Sequence, residues 1–354
     1  MGAVARGRRL SPGGATVAVA VVVAALTGCA AGPGSGSAAG ESTDSPLGTR
    51  LVREVSGSEA FGHLRALQRI ADRNNGNRAS PGPGYDASVD YVAGVLRAAG
   101  YDVSMPTYSR GRGRDGDDSA GTTLRSVIAQ TRTGSPRQVV MAGAHLDSVP
   151  KGPGINDNGT GVAALLELAT RLGGSPQVRN AVRFAFWGSE EDDLQGSTSY
   201  VDGLDSTGRR SIQLYLNLDM LGSPNAGYFV QGGRGRGDAR SGPPGSERVG
   251  RVLTDQFAAL GVTTETVDFD GGSDYAAFLD AEIPTGGLLA GADDRKTEAQ
   301  ARGWGGAAGQ PFDACYHSGC DRIDNVDPVV FDRYVDAVAG AMGYFAGAGL
   351  PPSN

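Results

Sequence analysis

Histidine and cysteine are scarce in this chain, and its acidic residues outnumber its basic ones. Only three histidines and three cysteines occur among the 354 residues. Lysine and arginine total 32 against 39 aspartates and glutamates, which gives a formal net charge of −7. Without a basic stripe the chain lacks the feature that attracts nucleic acid, so a nucleic-acid or phosphate-binding role is disfavoured. A chain of this length accommodates one large domain or two medium ones.

The N-terminal segment has the pattern of a bacterial export signal. Three arginines near Arg8 precede an apolar run over residues 15–26, which is too short to span a bilayer comfortably. The run ends at Leu26-Thr27-Gly28-Cys29, which resembles a lipobox, where the cysteine carries lipid and becomes the new N-terminus. We therefore predict a lipoprotein signal peptide over residues 1–28 and an exported protein, either anchored at the extracellular face of the membrane through Cys29 or secreted. A plain cleaved signal is the alternative.

The other two cysteines, Cys315 and Cys320, are five residues apart and flank His317. Two cysteines are only half of a zinc knuckle, whereas a disulfide closing a small loop suits an oxidising compartment. Both interpretations stay open, and the disulfide is favoured. Cys29 would then be unpaired, and lipidation would account for it.

Strand and helix patterns alternate along the centre of the chain. Apolar strands are predicted at 139–142, 181–187 and 212–218, and helices with an apolar face at 161–172, 249–260 and from residue 327 onward. This alternation is typical of an α/β fold in which helices cover both faces of a mixed, mostly parallel β-sheet. Residues 30–48 are rich in Gly, Ser and Ala, so we predict a flexible tether over 29–50. No linker or repeat interrupts the chain after residue 50, so we predict a single domain over 51–350.

Candidate metal ligands follow three of the predicted strands. His145, the pair Glu190-Glu191 and Asp219 each come just beyond the C-terminal end of a strand, and such ends line the crevice where open α/β sheets bind ligands. Asp157 lies on a Gly-rich turn before a helix, where a lone aspartate would otherwise cap the helix. With His317, these segments offer the imidazoles and carboxylates of a paired-zinc site. A hydrolase is the function that this set predicts.

Neighbouring side chains can assist such a site. His145 and Asp147 are two apart, so an extended backbone points both to one face. Asp147 could then accept the second ring N–H of His145 and fix its tautomer. The adjacent carboxylates of Glu190 and Glu191 can divide their roles, one binding metal and one accepting a proton.

Longer motifs surround these residues. They are Asn75-Gly76-Asn77-Arg78, Pro83-Gly84-Tyr85, Met141 to Ser148, Gly154 to Gly159, Asn217 to Pro224, Trp304-Gly305-Gly306 and Cys315-Tyr316-His317. With these motifs in this order, the chain from about Gly57 to Phe345 resembles the secreted bacterial di-zinc aminopeptidases of the leucyl type. The resemblance covers nearly the whole chain after the predicted tether.

The resemblance implies a site with two Zn²⁺ ions per chain. Five side chains would hold them: His145 and Asp219 on one ion, Glu191 and His317 on the other, with Asp157 bridging both. Glu190 matches the general base of the family, and Tyr316 matches the tyrosine that polarises the substrate carbonyl. The resemblance also implies a cis peptide between Asp157 and Asn158 and a disulfide between Cys315 and Cys320.

The implied partners are peptide substrates with a free N-terminus. A specificity pocket near Met220, Leu288 and Leu289 would favour Leu, Phe or Met as the first residue, and the protein is expected to be a monomer. The alternatives are other hydrolases of the same superfamily, namely a carboxypeptidase, an amide deacylase or a cyclase of N-terminal glutamine.

The chain departs from the family pattern at a few positions. Gly272 replaces an arginine of the family, which removes a cationic contact near the substrate carbonyl, and Asp192-Asp193 adds negative charge at the rim. Family members can also bind Ca²⁺ away from the catalytic site, and Asp332 and Asp336 match that position. These two aspartates are four apart on a predicted helix, so a solvated helix face is the other explanation.

Overall fold

The structure, a computed structural model, describes residues 43, 45–109, 111, 121–233 and 240–347. The predicted signal peptide over 1–28 and the lipidation of Cys29 lie outside the described residues. The described residues belong to one compact unit.

An eight-stranded mixed sheet forms the middle layer, and a separate hairpin lies beside it. The strands are β1 Asp102–Ser104, β2 Thr107–Ser109, β3 Thr123–Arg125, β4 Val127–Gln130, β5 Ser135–His145, β6 Asn180–Trp187, β7 Ile212–Leu218, β8 Phe229–Gln231, β9 Glu265–Val267 and β10 Thr285–Leu289. The order in the large sheet is β1-β4-β6-β5-β7-β10-β8-β9, and β2 pairs with β3 in the hairpin. The four central strands β6, β5, β7 and β10 are parallel. Antiparallel pairs join β1 to β4, β4 to β6, and β8 to β10.

Helices cover both faces of the sheet. They are α1 Pro46–Glu54, α2 Gly57–Arg73, α3 Pro83–Ala98, α4 Thr160–Leu172, α5 Gln195–Asp202, α6 Ser206–Ser211, α7 Ser246–Ala259, α8 Tyr275–Asp280, α9 Glu298–Trp304 and α10 Pro328–Gly347. Successive side chains of a strand point to opposite faces, so Val140 and Ala142 of β5 join one apolar cluster while Val139 and Met141 join the other. The predicted α/β fold with a mixed, mostly parallel sheet between helices is confirmed. Among the described residues, no helix combines the length and hydropathy that crossing a membrane requires.

Helix α1 begins inside the segment that the composition predicted as a tether. Its N-cap Ser45 accepts the backbone N–H of Gly48, and a proline follows at the first helical position, a favourable start for a helix. Leu51 is buried in the main core. A Cβ placed on Gly343 of α10 would lie only 2.4 Å from the Cα of Gly48, so the two helices are in backbone contact. The predicted tether over 29–50 is therefore wrong for residues 46–50.

The contact between α1 and α10 predicts how two glycines of α10 respond to substitution. Gly343→Ala forces the backbones of the two helices apart, because the new methyl meets main-chain atoms. We expect the free energy of unfolding to fall by about 1–3 kcal/mol. Gly347→Ala, on the same helix with no atom within 4 Å of the added Cβ, is the matched control and should cost nothing. Urea denaturation of both variants measures the difference, and equal stability would contradict the packing of α1 against α10.

Candidate metal centre

Three adjacent strands bring candidate ligands to the same edge of the sheet. His145 is the last residue of β5, Glu190 and Glu191 follow β6, and Asp219 directly follows β7. Since β6, β5 and β7 are neighbours and run parallel, their carboxyl ends meet at one rim. The structure therefore brings these side chains together, as their places at the strand ends predicted.

Asp157 lies between the two histidines. Its Oδ1 is 3.2 Å from Nε2 of His145, and its Oδ2 is 3.1 Å from Nε2 of His317. The remaining carboxylates divide between the same two rings: Asp219 Oδ1 is 3.4 Å from His145 Nε2, and Glu191 Oε2 is 3.0 Å from His317 Nε2. All five side chains named as ligands in the sequence analysis therefore meet in one cluster.

The donor set fits metal ions. Three groups of side chains have ligand atoms within 4.8 Å of one another: His145, Asp157 and Asp219; Asp157, Glu191 and His317; and His145, Glu190 and Glu191. Within the described part of the chain, the buried atoms Asp157 Oδ2, Glu191 Oε1 and Asp219 Oδ1 make no well-formed hydrogen bond. Buried carboxylate oxygens that lack a well-formed hydrogen bond are costly, and a cation among them would remove that cost. Two imidazoles and several carboxylates form a ligand set that suits zinc.

Backbone geometry around Asp157 aims its carboxylate. The segment Ile155–Gly159 forms a short irregular helical turn, and the Asp157–Asn158 peptide is cis, as the resemblance implied. Gly154 has φ 62°, and a Cβ there would lie 2.4 Å from the carbonyl oxygen of Asp157, so only glycine fits. The alternative of Asp157 as a helix cap is wrong, because Oδ1 of Asn158 accepts the N–H of Gly161 in the first turn of α4.

Asp147 is buried beside His145 but differs from the prediction in detail. Nδ1 of His145 lies 3.3 Å from the backbone carbonyl oxygen of Asp147 and 3.8 Å from its carboxylate. The carboxylate instead accepts the backbone N–H groups of Glu190 and Glu191, at 3.2 and 3.4 Å. Asp147 thus orients the histidine through its main chain and the two glutamates through its side chain.

Two buried charged residues support the site and received no role from the sequence. Arg78 is fully buried and donates to the carbonyl oxygens of Leu146, Pro153 and Gly154. Asp321 is also buried and accepts the backbone N–H groups of Asn156 and Asp157. Arg78 belongs to the motif Asn75-Gly76-Asn77-Arg78, but a sequence motif alone does not show which carbonyl groups a side chain contacts.

Burial and mutual contact shift the protonation of the cluster. Burial raises the pKa of Glu190 well above its ordinary value and that of Glu191 to about 7. Burial would lower the pKa of His317, but the carboxylates of Asp157 and Glu191 outweigh it and raise the pKa to about 10. Contacts with both histidines hold the pKa of Asp157 well below its usual range despite its burial. A cation bound among these side chains would compete with protons for the same atoms.

Two adjoining cavities open over the cluster. The first, of about 290 Å³, is lined by the cluster itself together with Gly272 and Tyr316. The second, of about 600 Å³, shares Asp219, Met220, Gly272 and Tyr316 with the first. Leu289 lines the second cavity, whereas Leu288 is 1% exposed in the main core. The prediction of Leu288 as a pocket residue is wrong, because alternate side chains of β10 point to opposite faces of the sheet.

The loop that carries Tyr316 and His317 is closed by a disulfide between Cys315 and Cys320, so the zinc-knuckle alternative is wrong. The ring of Tyr316 stacks on the imidazole of His317, with centroids 3.8 Å apart. This stacking keeps the phenol beside the cluster.

The acidic pair matched to a calcium position lies apart from this site. Oδ1 of Asp332 accepts the backbone N–H of Gly57 at 2.7 Å, and burial together with Asp332 raises the pKa of Asp336 to about 6. Neither aspartate belongs to any group that could hold a metal ion among the described residues. The contact with Gly57 gives Asp332 a structural role between α2 and α10.

An open α/β sheet with a carboxylate–imidazole centre at its strand ends defines a metal-dependent hydrolase as the class of protein. The family model described as Peptidase family M28 matches residues 126–342. The chain belongs to peptidase family M28.

Two curated relatives match almost the entire chain, and a third matches part of it. It is 41% identical to Leupeptin-inactivating enzyme 1 of Streptomyces exfoliatus, over 97% of this chain and 72% of that protein. It is 37% identical to the protein named Probable lipoprotein aminopeptidase LpqL of Mycobacterium tuberculosis, over 94% of each chain. Over 62% of this chain and 40% of the relative, it is 48% identical to an aminopeptidase of Pseudomonas aeruginosa.

Solved structures share the fold at lower identity. The aminopeptidase from Aneurinibacillus sp. strain AM-1 superposes with a TM-score of 0.65 at 18% identity, covering 87% of this chain and 98% of that one. The zinc aminopeptidase BSAP from Bacillus subtilis has a TM-score of 0.64 at 16% identity, covering 81% and 94%. A glutaminyl cyclase from Porphyromonas gingivalis has a TM-score of 0.59 at 19% identity, covering 81% and 98%.

Proposed function

We propose that this chain is an exported zinc aminopeptidase with two zinc ions per chain, which removes the first residue from peptides and proteins. The observation that carries the proposal is the position of Asp157, whose two carboxylate oxygens each lie within 3.2 Å of a different imidazole. Membership of peptidase family M28 and relatives named as aminopeptidases support the same conclusion.

We assign side chains to each zinc ion from the distances between their ligand atoms. His145 and Asp219 would hold one ion, Glu191 and His317 the other, and Asp157 would bridge the two. The assignment is supported by three buried carboxylate oxygens that lack a well-formed hydrogen bond, namely Asp157 Oδ2, Glu191 Oε1 and Asp219 Oδ1. When bound, paired zinc ions supply an activated water near neutral pH and polarise the scissile carbonyl.

Glu190 is proposed as the general base. Its carboxylate lies 3.9 Å from Nε2 of His145, inside the cluster, and burial raises its pKa well above that of an ordinary glutamate. An ionised carboxylate at this place can accept a proton from the attacking water and pass it to the leaving amine. The phenol O–H of Tyr316, which lines both cavities, would donate a hydrogen bond to the developing oxyanion.

The second cavity is the proposed specificity pocket. Its lining combines Met220, Phe229, Leu289 and Phe312 with several acidic side chains and Arg295. The apolar part suits a large apolar side chain such as Leu, Phe or Met. The second cavity adjoins the cavity over the metal cluster. The first side chain of a substrate would therefore enter the second cavity while the carbonyl group of that residue stays at the metal centre. We propose peptides with a free N-terminus as substrates of a monomeric enzyme.

A carboxypeptidase reaction is disfavoured by the cavity beside the metal cluster. Such an enzyme requires a cation to bind the terminal carboxylate of its substrate. Among the described residues, no lysine or arginine lines the cavity of about 290 Å³, where Gly272 stands, and Arg295 lines only the second cavity. The acidic side chains of that cavity suit the cationic α-amine of an aminopeptidase substrate instead.

The activity can be tested with amino-acyl anilides. We expect hydrolysis of Leu-p-nitroanilide, loss of that activity with a zinc chelator, and its recovery when zinc is returned. The N-acetylated anilide should resist hydrolysis, because the free amine that the acidic site binds is blocked. A panel of first residues should favour Leu, Phe and Met. Equal cleavage of the free and acetylated substrates would contradict an aminopeptidase and favour an amide deacylase.

The role of Glu190 can be separated from metal binding. Glu190→Gln removes the proton acceptor at constant size, so kcat should fall at least ~10²-fold while metal analysis still finds two zinc ions per chain. Glu59→Gln, the same change at an exposed position on α2, is the control and should retain full activity. Unchanged turnover in Glu190→Gln would exclude Glu190 as the base.

Lipid attachment at Cys29 is proposed as the route to the membrane. The lipobox-like sequence before Cys29 and the relative named as a probable lipoprotein aminopeptidase support it. Mass spectrometry of protein extracted from membranes should find a diacylglyceryl adduct on Cys29, and Cys29→Ser should move the protein to the soluble fraction. An unmodified N-terminus in soluble wild-type protein would contradict the anchor.

A further inference from the structure

One buried aspartate holds the backbone of the segment that contains Asp157. Oδ1 of Asp321 accepts the N–H of Asn156 at 2.7 Å, and Oδ2 accepts the N–H of Asp157 at 3.0 Å. The main-chain carbonyl oxygen of Asp321 accepts the N–H of Ile155 at 3.2 Å. Three consecutive N–H groups thus end on a single residue, which is 2% exposed.

Asp321 connects the segment of Asp157 with the loop that carries Tyr316 and His317. It directly follows Cys320, whose disulfide closes the loop that carries Tyr316 and His317. A second contact joins the same segments, because Oδ2 of Asp313 accepts from the side-chain amide of Asn156 at 2.6 Å. The distance between the carboxylate of Asp157 and the ring of His317 therefore depends on this loop.

We infer that Asp321 is a positioning residue that sets the affinity of the site for zinc. It acts through the main chain: by holding the N–H groups of Asn156 and Asp157, it places both carboxylate oxygens of Asp157 against the two imidazoles. The inference rests on the proposed function only in that Asp157, His145 and His317 are taken as zinc ligands. Among the described residues, Asp321 belongs to none of the groups that could hold a metal ion and lines neither of the two cavities.

The chemistry of the contact explains why a carboxylate is required. Two oxygens accept from two adjacent N–H groups at once, whereas an asparagine offers one oxygen and one NH₂. In Asp321→Asn, the NH₂ group would face the N–H of either Asn156 or Asp157, and the segment would have to rotate. Changes to residues that orient metal ligands typically cost about 10–100-fold in metal affinity.

The test compares zinc affinity in Asp321→Asn and in Asp324→Asn. Asp324 is exposed and lies three residues further along the chain, in the short 3-10 helix Ile323–Asn325, so its variant removes the same charge without touching the site. The measurement is made at pH 8, well above the range in which carboxylates ordinarily titrate. Competition with a fluorescent zinc chelator gives the affinity, and thermal unfolding of the zinc-free proteins gives their stability.

We expect the zinc affinity of Asp321→Asn to be about 10–100-fold below wild type and that of Asp324→Asn to be unchanged. A folded Asp321→Asn protein with wild-type zinc affinity and only a lowered melting temperature would overturn the inference, since that is the result of a purely structural role. Asp321→Glu keeps both acceptor oxygens but shifts them by one methylene, so its zinc affinity should lie between those of Asp321→Asn and Asp324→Asn. If Asp321→Asn does not fold, wild-type affinity in folded Asp321→Glu overturns the inference.

This measurement does not require peptide hydrolysis. If wild-type protein binds zinc but leaves Leu-p-nitroanilide intact, the proposed function fails while the role of Asp321 is still decided by the affinities. If wild-type protein is an active aminopeptidase and Asp321→Asn binds zinc normally, the inference fails and the proposed function stands.

Discussion

The contact of one carboxylate with two imidazoles is the constraint on which the rest of this structure depends. Asp157 can face both His145 and His317 only if its backbone is held on every side. Gly154 admits the carbonyl of Asp157 at close range, Asn158 bonds to the start of α4, and Asp321 holds the N–H groups. The sheet brings Glu191 and Asp219 to the same place, because adjacent parallel strands end at one rim.

Concentrating acids in a buried cleft carries an electrostatic cost, and the surrounding protein is arranged to offset it. The pKa values of Glu190 and Glu191 are raised by burial, which is the sign of carboxylates short of positive partners. The guanidinium of Arg78 is held in the interior by three backbone carbonyl oxygens and lies in the field of Asp147, Asp157 and Asp321. Zinc ions would supply the larger part of the missing positive charge, so metal binding and the stability of the cleft are linked.

The sequence predicted best where a local pattern has a direct geometric consequence. Apolar runs located the central strands, and their C-terminal ends correctly located His145, Glu190, Glu191 and Asp219 on one rim. Prediction failed where the outcome depends on distant partners. Residues 46–50 were assigned to a tether because Gly, Ser and Ala dominate the preceding segment, yet packing against α10 orders them as a helix. Leu288 was assigned to the pocket from resemblance, but the alternation of β10 turns it into the core.

The amino-acid sequence by itself determined the α/β fold class, the types of ligand and the strand ends on which most of them stand, because hydrophobic periodicity and strand polarity are local properties. Only the tertiary structure decided how the loop of His317 meets the turn of Asp157. Irregular loops have no periodicity to read, and their course is set by hydrogen bonds between residues far apart in the chain. The two bonds from the backbone of Asn156 and Asp157 to Asp321 are of this kind, and no local pattern in the sequence announces them.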